Sequence, residues 1–293
     1  MTHLILSAMK PKPSADKMNF EAIGTHWWLE ALSGTISHTL RQKVLGYAEQ
    51  FNRLYSRFID NSLVGKLNRG YAVEQPPQEL LDMLSFSKEM YEISNGVFDI
   101  TVGGILHKHG YGKKNLAADV NKQFWNDMTM NKSIVAIPAK TTIDFGGLGK
   151  GWMIDAIAQL FRENAVGEFI INGGGDMYVE AISPIEIFLE HPYKNEQKIG
   201  STYIMSGGLG VSSMLKRKWK DGESEYHHLI DPRTGQPSKS TVACSYVRAG
   251  SALLADTMAS ILLIEPSLNQ ALSKRYGLKT ILIDKSQLNL PCA

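Results

Sequence analysis

Residues 141–151 read Thr-Thr-Ile-Asp-Phe-Gly-Gly-Leu-Gly-Lys-Gly and stand between a strand-like segment and a long helical pattern. The four glycines of this stretch let the backbone approach a ligand closely. A helix that begins here offers unpaired N–H groups and a positive dipole end to an anion, and Lys150 at its start is well placed for a phosphate. The spacing matches neither the P-loop nor the Rossmann fingerprint. These residues alone leave two interpretations open, a phosphate site and a tight turn with a solvated lysine.

Helical and strand-like patterns alternate irregularly on both sides of this turn. Apolar residues at steps of three and four predict a helix over 36–58, and the sequence predicts further helices over 77–94, from the turn to 164, over 252–264 and over 267–276. Strands are predicted over 97–102, 134–137, 169–171, 177–179, 185–189, 203–205, 241–247 and 280–283. Because the order lacks regular βαβ units, we expect an α+β fold of mixed sheets with packed helices.

The domain organisation follows from the absence of a Pro/Gly/Ser-rich linker in the sequence. We expect residues 1–293 to form a single catalytic unit of one or two lobes. Within it, residues 1–19 are expected to be a poorly ordered or peripheral N-terminal segment.

Composition and charge exclude several classes of protein. A hydrophobic fraction of 43% and a charged fraction of 20% are those of a globular chain, not a disordered one. The net charge is +2, and the one compact basic run is 216–218, so we expect no nucleic-acid partner. Two cysteines are too few for a thiolate zinc cage. No window reaches the roughly 18 apolar residues of a membrane span, and the start lacks a secretory pattern, so we predict a cytoplasmic protein.

Two further segments have compositions that suit a ligand site. In the first, Asn172-Gly173-Gly174-Gly175-Asp176 follows an apolar strand, and its glycines invite close packing against a planar or phosphorylated ligand. A bulged turn explains them nearly as well. In the second, His227 and His228 precede an Asp-Pro turn and face opposite ways in an extended chain, so at most one points into a given site. For either histidine alone, a structural hydrogen bond is the more common role.

The apolar helix after Ser251 contains one carboxylate, Asp256. Ser251 is a suitable N-cap, and Asp256 lies beyond the first turn and cannot cap the helix. A carboxylate in so apolar a helix is costly unless it is paired or binds a metal. Ser260 adds a second oxygen on the same face. Two hard oxygens without a nearby histidine favour magnesium over zinc, and a plain buried hydrogen-bonded pair is the alternative.

In this order, these segments resemble those of the ApbE family, the FAD:protein FMN transferases. Seven stretches match in register, namely 23–25, 56–63, 96–103, 144–151, 173–175, 228–237 and 255–260. The chain departs from the family pattern at Ile23, Phe58 and Ser260, where methionine, tyrosine and threonine are usual. Ser212-Ser213-Met214 stands where many members have Ser-Gly and an aromatic residue. Many members are also exported lipoproteins.

The resemblance implies an ApbE-like, T-fold-related unit that binds FAD with Mg2+. Such enzymes transfer FMN to a threonine or serine hydroxyl of an acceptor protein and release AMP. It implies that magnesium is bound by the backbone carbonyl of Gly147 and the side chains of Asp256 and Ser260, and that His228 is the general base. The residues that fall where the family contacts FAD are Ile23, Phe58, Val97, Phe98, Asp99, Asp144, Lys150 and Ile230.

Two other functions compete with transfer. One is hydrolysis of the FAD pyrophosphate to FMN and AMP, which the altered Ser213 region motivates. The other is a non-catalytic FAD-binding protein, against which the presence of His228, Lys150 and Asp256 argues. For an unpaired Asp256, the change Asp256→Ala is expected to abolish activity and leave the fold largely intact.

Overall fold

In a computed structural model, the chain is described over residues 16–108, 121–192, 194, 197–214, 218–221, 224–227 and 230–288. The helices of this part are α1 His38–Tyr55, α2 Leu63–Asn68, α3 Gln78–Ile93, α4 Gly103–Lys108, α5 Phe124–Asp127, α6 Gly149–Glu163, α7 Ala252–Ile264 and α8 Asn269–Tyr276. The strands are β1 Asp16–Ala22, β2 Thr25–Ser33, β3 Val73–Glu74, β4 Thr129–Met130, β5 Ile134–Ala136, β6 Glu168–Gly173, β7 Asp176–Glu190, β8 Lys198–Ser213, β9 Lys218–Asp221, β10 Ser224–His227, β11 Ile230–Asp231, β12 Gln236–Pro237, β13 Val242–Ala249 and β14 Lys279–Asp284. The mixed α+β class predicted from the sequence is confirmed.

A seven-stranded sheet organises the molecule, in the order β1-β2-β6-β7-β8-β13-β14, with antiparallel pairing throughout. The main hydrophobic core joins this sheet to helices α1, α3, α6 and α7. Side chains at alternate positions of β2 and β6 enter that core, as a half-buried sheet requires. Trp27, Leu29, Phe169 and Ile171 are among them, and all four are fully buried.

A second hydrophobic cluster contains Ile170, which lies between Phe169 and Ile171 on β6, and Met177 on β7. Ile187 and Leu189, in the far half of β7, belong to the same cluster. The two strands predicted over 177–179 and 185–189 are one strand, because β7 continues through a register irregularity between Glu180 and Ile185. A β-bulge of this kind bends a strand without ending it.

Helix α7 lies close against β8, and a glycine makes this possible. A Cβ at Gly210 would stand 2.1 Å from the carbonyl oxygen of Ala255 and 2.5 Å from the amide nitrogen of Asp256. No larger residue fits there without moving the helix. Gly210 therefore sets the distance between the sheet and the turn of α7 that bears Asp256.

The prediction of a strand over 97–102 is wrong. Val97 and Phe98 lie in a bend, and Ile100–Val102 form a 3-10 turn. The carboxylate of Asp99 accepts a hydrogen bond of 2.8 Å from the amide of Thr101. Such a local side-chain bond competes with strand pairing, which explains why β-branched residues here do not form a strand.

Two predicted segments, the helix over 36–58 and the N-terminal segment 1–19, have different boundaries in the structure. The helix predicted over 36–58 is α1, which ends at Tyr55, so Phe58 lies outside it. Asp16–Asn19, expected in a poorly ordered or peripheral segment, form half of β1 at the edge of the sheet, paired to β2. Residues 1–15 lie outside the described part.

Within the residues that the structure describes, no helix combines the length and apolar character needed to cross a membrane. A single domain, a cytoplasmic location and the lack of a nucleic-acid partner stay predictions.

Candidate active site

A cavity of about 590 Å³ opens between the helices and one end of the central sheet. Its wall combines the bend after α3, the glycine-rich loop before α6, the start of β7, the end of β8 and one face of α7. All eleven predicted site residues that fall in the described part of the chain line it, namely Ile23, Phe58, Val97, Phe98, Asp99, Asp144, Gly147, Lys150, Ile230, Asp256 and Ser260. The structure thus brings together residues from distant stretches of sequence.

The glycine-rich loop forms one wall of the cavity and leads into α6. The amide of Asp144 donates to the carbonyl of Ile100 at 2.8 Å, which ties the loop to the bend at Asp99. One Asp144 oxygen accepts from the amide of Gly146 at 2.9 Å, an Asx turn that shapes the loop. Leu148 is the N-cap, and its side chain does not cap α6. The amide of Gly149 donates to the carbonyl of Phe145 and that of Gly151 to Asp256, so within the described residues the amide of Lys150 is the first-turn donor left for an anion.

Arg57 holds the other oxygen of Asp144. Its guanidinium Nε lies 3.1 Å from Asp144 Oδ2, and the Arg57 side chain is only 2% exposed. The same guanidinium lies over the ring of Phe58, 4.5 Å from the ring centre. Phe58 itself is 51% exposed at the cavity wall. A cation over an aromatic face fixes the ring orientation, so Arg57 positions both Asp144 and Phe58.

Lys150 does not point into solvent. Its ammonium nitrogen lies 2.8 Å from Asp176 Oδ2, and 2.9 and 3.0 Å from the two oxygens of Asp256. Both carboxylates are nearly buried, with side chains 2% and 5% exposed. The solvated lysine that the sequence left open is excluded. The expectation of an unpaired Asp256 is also wrong, because the carboxylate binds Lys150 and accepts from the amide of Gly151 at 3.1 Å.

We call Lys150, Asp176 and Asp256 the lysine cluster. It contains two carboxylates and one ammonium, so its formal charge is −1 at neutral pH. Burial opposes the ammonium, but the two carboxylates outweigh it and raise the pKa of Lys150 above its ordinary value. Burial and the nearby Asp176 raise the pKa of Asp256 to about 6, and Lys150 acts in the opposite direction. The excess negative charge faces the cavity, where it favours a cation.

Asp99, on the wall formed by the bend, is a third buried carboxylate. Burial raises its pKa to about 6, and the hydrogen bond from Thr101 opposes this only in part. The neighbouring Tyr91 hydroxyl also has a raised pKa, caused by burial and then by the charge of Asp99. Asp99 therefore takes up a proton in a range where exposed carboxylates are ionised.

Helices α6 and α7 are joined at their N-terminal ends. The Asp155 carboxylate on α6 accepts from the amides of Ala252 and Leu253, both at 2.8 Å. A Cβ at Gly151 would lie 2.7 Å from the carbonyl oxygen of Ala252, so glycine is needed where the helices touch. Ser251 caps α7 through its hydroxyl, as predicted, by accepting from the amide of Leu254. This junction fixes Asp256 beside Lys150.

The proposed metal donors are Asp256, Ser260 and Gly147, and all three line the cavity. Ser260 lies one turn after Asp256 on α7, and its hydroxyl is 3.5 Å from that of Ser212. A carboxylate, a hydroxyl and a carbonyl are the hard oxygens that suit Mg2+, which keeps several waters and needs only one or two carboxylates. Because Asp256 also belongs to the lysine cluster, whose formal charge is −1, this donor set fits the ion. Across the described residues, no group of three or more His, Cys, Asp or Glu forms a metal site.

His228 lies outside the described residues, so its predicted role as general base stays a prediction. Ile230, two positions later in the chain, is buried and lines the cavity.

Sequence reasoning gave no role to Asp176 or Arg57, which the structure places beside predicted site residues. Asp176 directly follows the glycine triplet, and Arg57 directly precedes Phe58. An acidic residue at the start of a buried strand was the available signal for Asp176, since such a carboxylate needs a partner. No local signal identified that partner as Lys150.

The fold and the cavity place the chain in a structural class, that of the solved ApbE proteins. An apbE protein from Thermotoga maritima superposes with a TM-score of 0.82 at 21% identity, covering 93% of this chain and 95% of its own. The flavin transferase ApbE of Vibrio cholerae gives a TM-score of 0.76 at 20% identity, covering 92% and 93%. At this level of identity, the likeness shows the fold alone.

The family model of ApbE matches residues 23–281, and the chain belongs to the ApbE family. Its sequence is similar to the FAD:protein FMN transferase of Klebsiella pneumoniae, with 21% identity over 94% of this chain and 86% of the relative. The enzyme of the same description from Escherichia coli K12 is 20% identical over 90% and 83%. The resemblance predicted from the sequence is confirmed.

Proposed function

We propose that this chain is an FAD:protein FMN transferase, which uses Mg2+ and moves FMN from FAD to a threonine or serine hydroxyl of an acceptor protein. One observation carries the proposal. The loop at the start of α6 and the lysine cluster meet on the wall of one cavity of about 590 Å³. Membership of the ApbE family and the names of its relatives give the same function.

The chain's own groups suit two parts of FAD, the pyrophosphate and a planar ring system. The first-turn amide of Lys150 and the Lys150 ammonium bind the pyrophosphate, because both offer positive charge at a place where a glycine-rich backbone permits close approach. The ring of Phe58, half exposed and held under Arg57, offers a face for a planar ring system. Asp99 and Asp144 fix the facing bend and loop.

Asp256, Ser260 and the carbonyl of Gly147 would hold the magnesium ion. Bound there, Mg2+ would neutralise charge on the pyrophosphate oxygens. The buried, preorganised position of Asp256 limits the loss of order on binding, because Gly210 and Gly151 fix the helix that bears it.

The proposed reaction is a displacement at phosphorus. The acceptor hydroxyl oxygen forms a bond to the FMN phosphorus, the bond from that phosphorus to the bridging oxygen breaks, and AMP leaves with the bridging oxygen. His228 takes the hydroxyl proton, since the reference pKa of a histidine side chain, about 6.5, suits a general base at neutral pH. Lys150 stabilises negative charge on the departing phosphate. Positioning and charge neutralisation supply most of the rate in reactions of this class.

The test uses the purified chain, FAD, Mg2+ and a protein extract from the cells that carry the gene. A fluorescent protein band that survives denaturation, with the added mass of FMN on a threonine or serine, is the expected result. Asp256→Ala is the matched control and should give no band. No covalent flavin on any protein would contradict transfer.

The same reaction separates the alternatives through its small products. Transfer gives AMP without an equal amount of FMN, and AMP appears only with acceptor. Equal FMN and AMP at a rate that acceptor does not change would indicate hydrolysis, for which the buried hydroxyls of Ser212 and Ser213 on the cavity wall leave a polar surface. FAD that stays intact in both conditions would indicate a binding protein.

A further inference from the structure

Asp176 is the residue of the lysine cluster to which neither the resemblance nor the proposed function assigns a role. It opens β7, directly after the glycine triplet, and its side chain is 2% exposed. One oxygen accepts from the amide of Val211 on β8 at 2.8 Å, and the other lies 2.8 Å from the Lys150 ammonium. Asp176 is therefore fixed to the central sheet.

The number of charges in the cluster exceeds what a stable ion pair requires. One carboxylate neutralises Lys150, and burial of a second carboxylate costs stability because its charge is only partly compensated. Replacement of either acid by a neutral residue would leave a balanced pair. The presence of both at the wall of the cavity points to a role in the reaction.

The two carboxylates differ in what else they serve. In the proposed function Asp256 gives oxygen to the divalent cation, and it lies on α7 with Ser260 one turn away. Asp176 lies on the sheet side, where the amide of Val211 donates a hydrogen bond to the oxygen that does not face Lys150. A cation at Asp256 and the ammonium of Lys150 are two positive charges that would otherwise compete for one carboxylate.

We propose that Asp176 is the counter-ion that holds Lys150 at the cavity wall and so leaves Asp256 to the divalent cation. This inference rests on the proposed function. Asp176 is a positioning residue, since it acts through Lys150 and need not touch the cation or FAD. It lets a lysine and a metal ion, both needed by a pyrophosphate, share one wall of the cavity.

The test measures Mn2+ binding by the full-length chain without FAD or acceptor, from the loss of the electron paramagnetic resonance signal of free Mn2+. Asp176→Asn keeps the shape and an oxygen for Val211, but Lys150 is left with Asp256 alone. We expect Mn2+ affinity to fall by about tenfold or more, as for other partners of metal ligands. Asp256→Asn should lose binding altogether. Glu180→Gln, on the same strand and bonded to Arg162, is the matched control and should leave the affinity unchanged.

Rescue distinguishes this role from a merely structural one. In the double variant Lys150→Met/Asp176→Asn the competing ammonium is gone, and Mn2+ affinity should return to within about threefold of the original chain. Circular dichroism confirms that each variant is folded. A double variant as weak as Asp176→Asn would overturn the inference, as would a single variant with unchanged affinity.

Two more results are decisive. If Asp176→Asn abolishes binding as fully as Asp256→Asn, and the double variant does too, Asp176 is itself a ligand and the counter-ion role is wrong. If the original chain binds no Mn2+, the magnesium-dependent function fails together with this inference. Binding by the original chain with no effect of Asp176→Asn removes the inference alone.

Discussion

The N-terminal ends of α6 and α7 make the same contact in two different ways. Each receives a carboxylate from the other helix: Asp155 of α6 binds two amides of α7, and Asp256 of α7 binds one amide of α6. Asp155 is satisfied by backbone groups and does not line the cavity, whereas Asp256 lines it and has Lys150 as its main partner. One end is closed by the protein itself, and the other stays open to a ligand.

Within this one junction, the partners of each carboxylate separate a structural role from a functional one. Asp155 is bound by backbone N–H groups at the place where the two helices pack, so its hydrogen bonds stabilise the fold. A side-chain cation can exchange partners, so Asp256 can pass from Lys150 to a metal ion. Asp99 accepts from one amide and forms no ion pair among the described residues, so it is an intermediate case.

The largest expected effect comes from removing Lys150, the cation at the open N-terminal end of α6. Lys150→Met leaves Asp176 and Asp256 buried side by side without a cation, and we expect the free energy of unfolding at pH 7 to fall by about 3 to 5 kcal/mol. Urea denaturation measures the change. Addition of Mg2+ should restore part of it, since the ion supplies the missing charge and stabilises the folded state by binding.

Lys140→Met is the control for this change, because Lys140 is exposed and does not line the cavity. It should leave the stability and its response to Mg2+ unchanged. A Lys150→Met chain as stable as the original would mean that the ammonium does not neutralise the cluster.

The closed end should give the second largest effect. Asp155→Ala deprives the amides of Ala252 and Leu253 of their acceptor, and we expect a loss of about 3 kcal/mol, as for bonds to a charged group. The folded fraction should keep its affinity for divalent cations, because Asp256 and Lys150 are unchanged. Denaturation and Mn2+ titration of one preparation measure both. Loss of Mn2+ binding without loss of stability would reverse the assignment of the two ends.

The sequence predicts the parts of this junction that depend on neighbouring residues. The glycines at 146–151, the Ser251 cap and the face shared by Asp256 and Ser260 all follow from local patterns, and the structure has each of them. The family resemblance placed the remaining residues, and those that are described line one cavity.

The site contacts that the sequence does not predict join elements that are far apart in the chain. Nothing near Lys150 in the sequence indicates that Asp176 from β7 and Asp256 from α7 meet its ammonium. The same holds for Gly210, whose requirement comes from a helix more than 40 residues later. The strand predicted over 97–102 failed because a bond from Thr101 to Asp99 outweighs β-propensity.

Asp99, the intermediate carboxylate, makes the stability of the chain depend on pH. Its pKa in the folded chain is raised from 3.8 to about 6, so the folded state binds a proton that the unfolded state has lost. Its contribution to stability is therefore fully present below about pH 4 and is lost as the pH rises through about 6, by about 2 to 3 kcal/mol in total. Asp99→Asn removes this loss and keeps an acceptor for Thr101.

Urea denaturation at pH 4 and pH 7 tests this point. The stability of Asp99→Asn relative to the original chain should be higher at pH 7 than at pH 4 by the same about 2 to 3 kcal/mol. Tyr91 faces Asp99 and stays protonated at both values, because burial raises its pKa. An equal difference at the two pH values would show that Asp99 titrates like an exposed carboxylate.

Ser251 should give the smallest effect, because Asp155 already binds the first two amides of α7. Ser251→Ala removes the bond from the amide of Leu254, at 3.1 Å, and the weaker bond of the Ser251 hydroxyl to Asp155, and we expect a loss of about 1 kcal/mol. Ser37→Ala is the matched comparison, since Ser37 caps α1 through a bond of the same length and to the same position. The two losses, measured by denaturation, should agree within about 0.5 kcal/mol. If Ser251→Ala costs as much as Asp155→Ala, the serine closes this end, and the contrast between the two helix ends would then no longer depend on the two carboxylates.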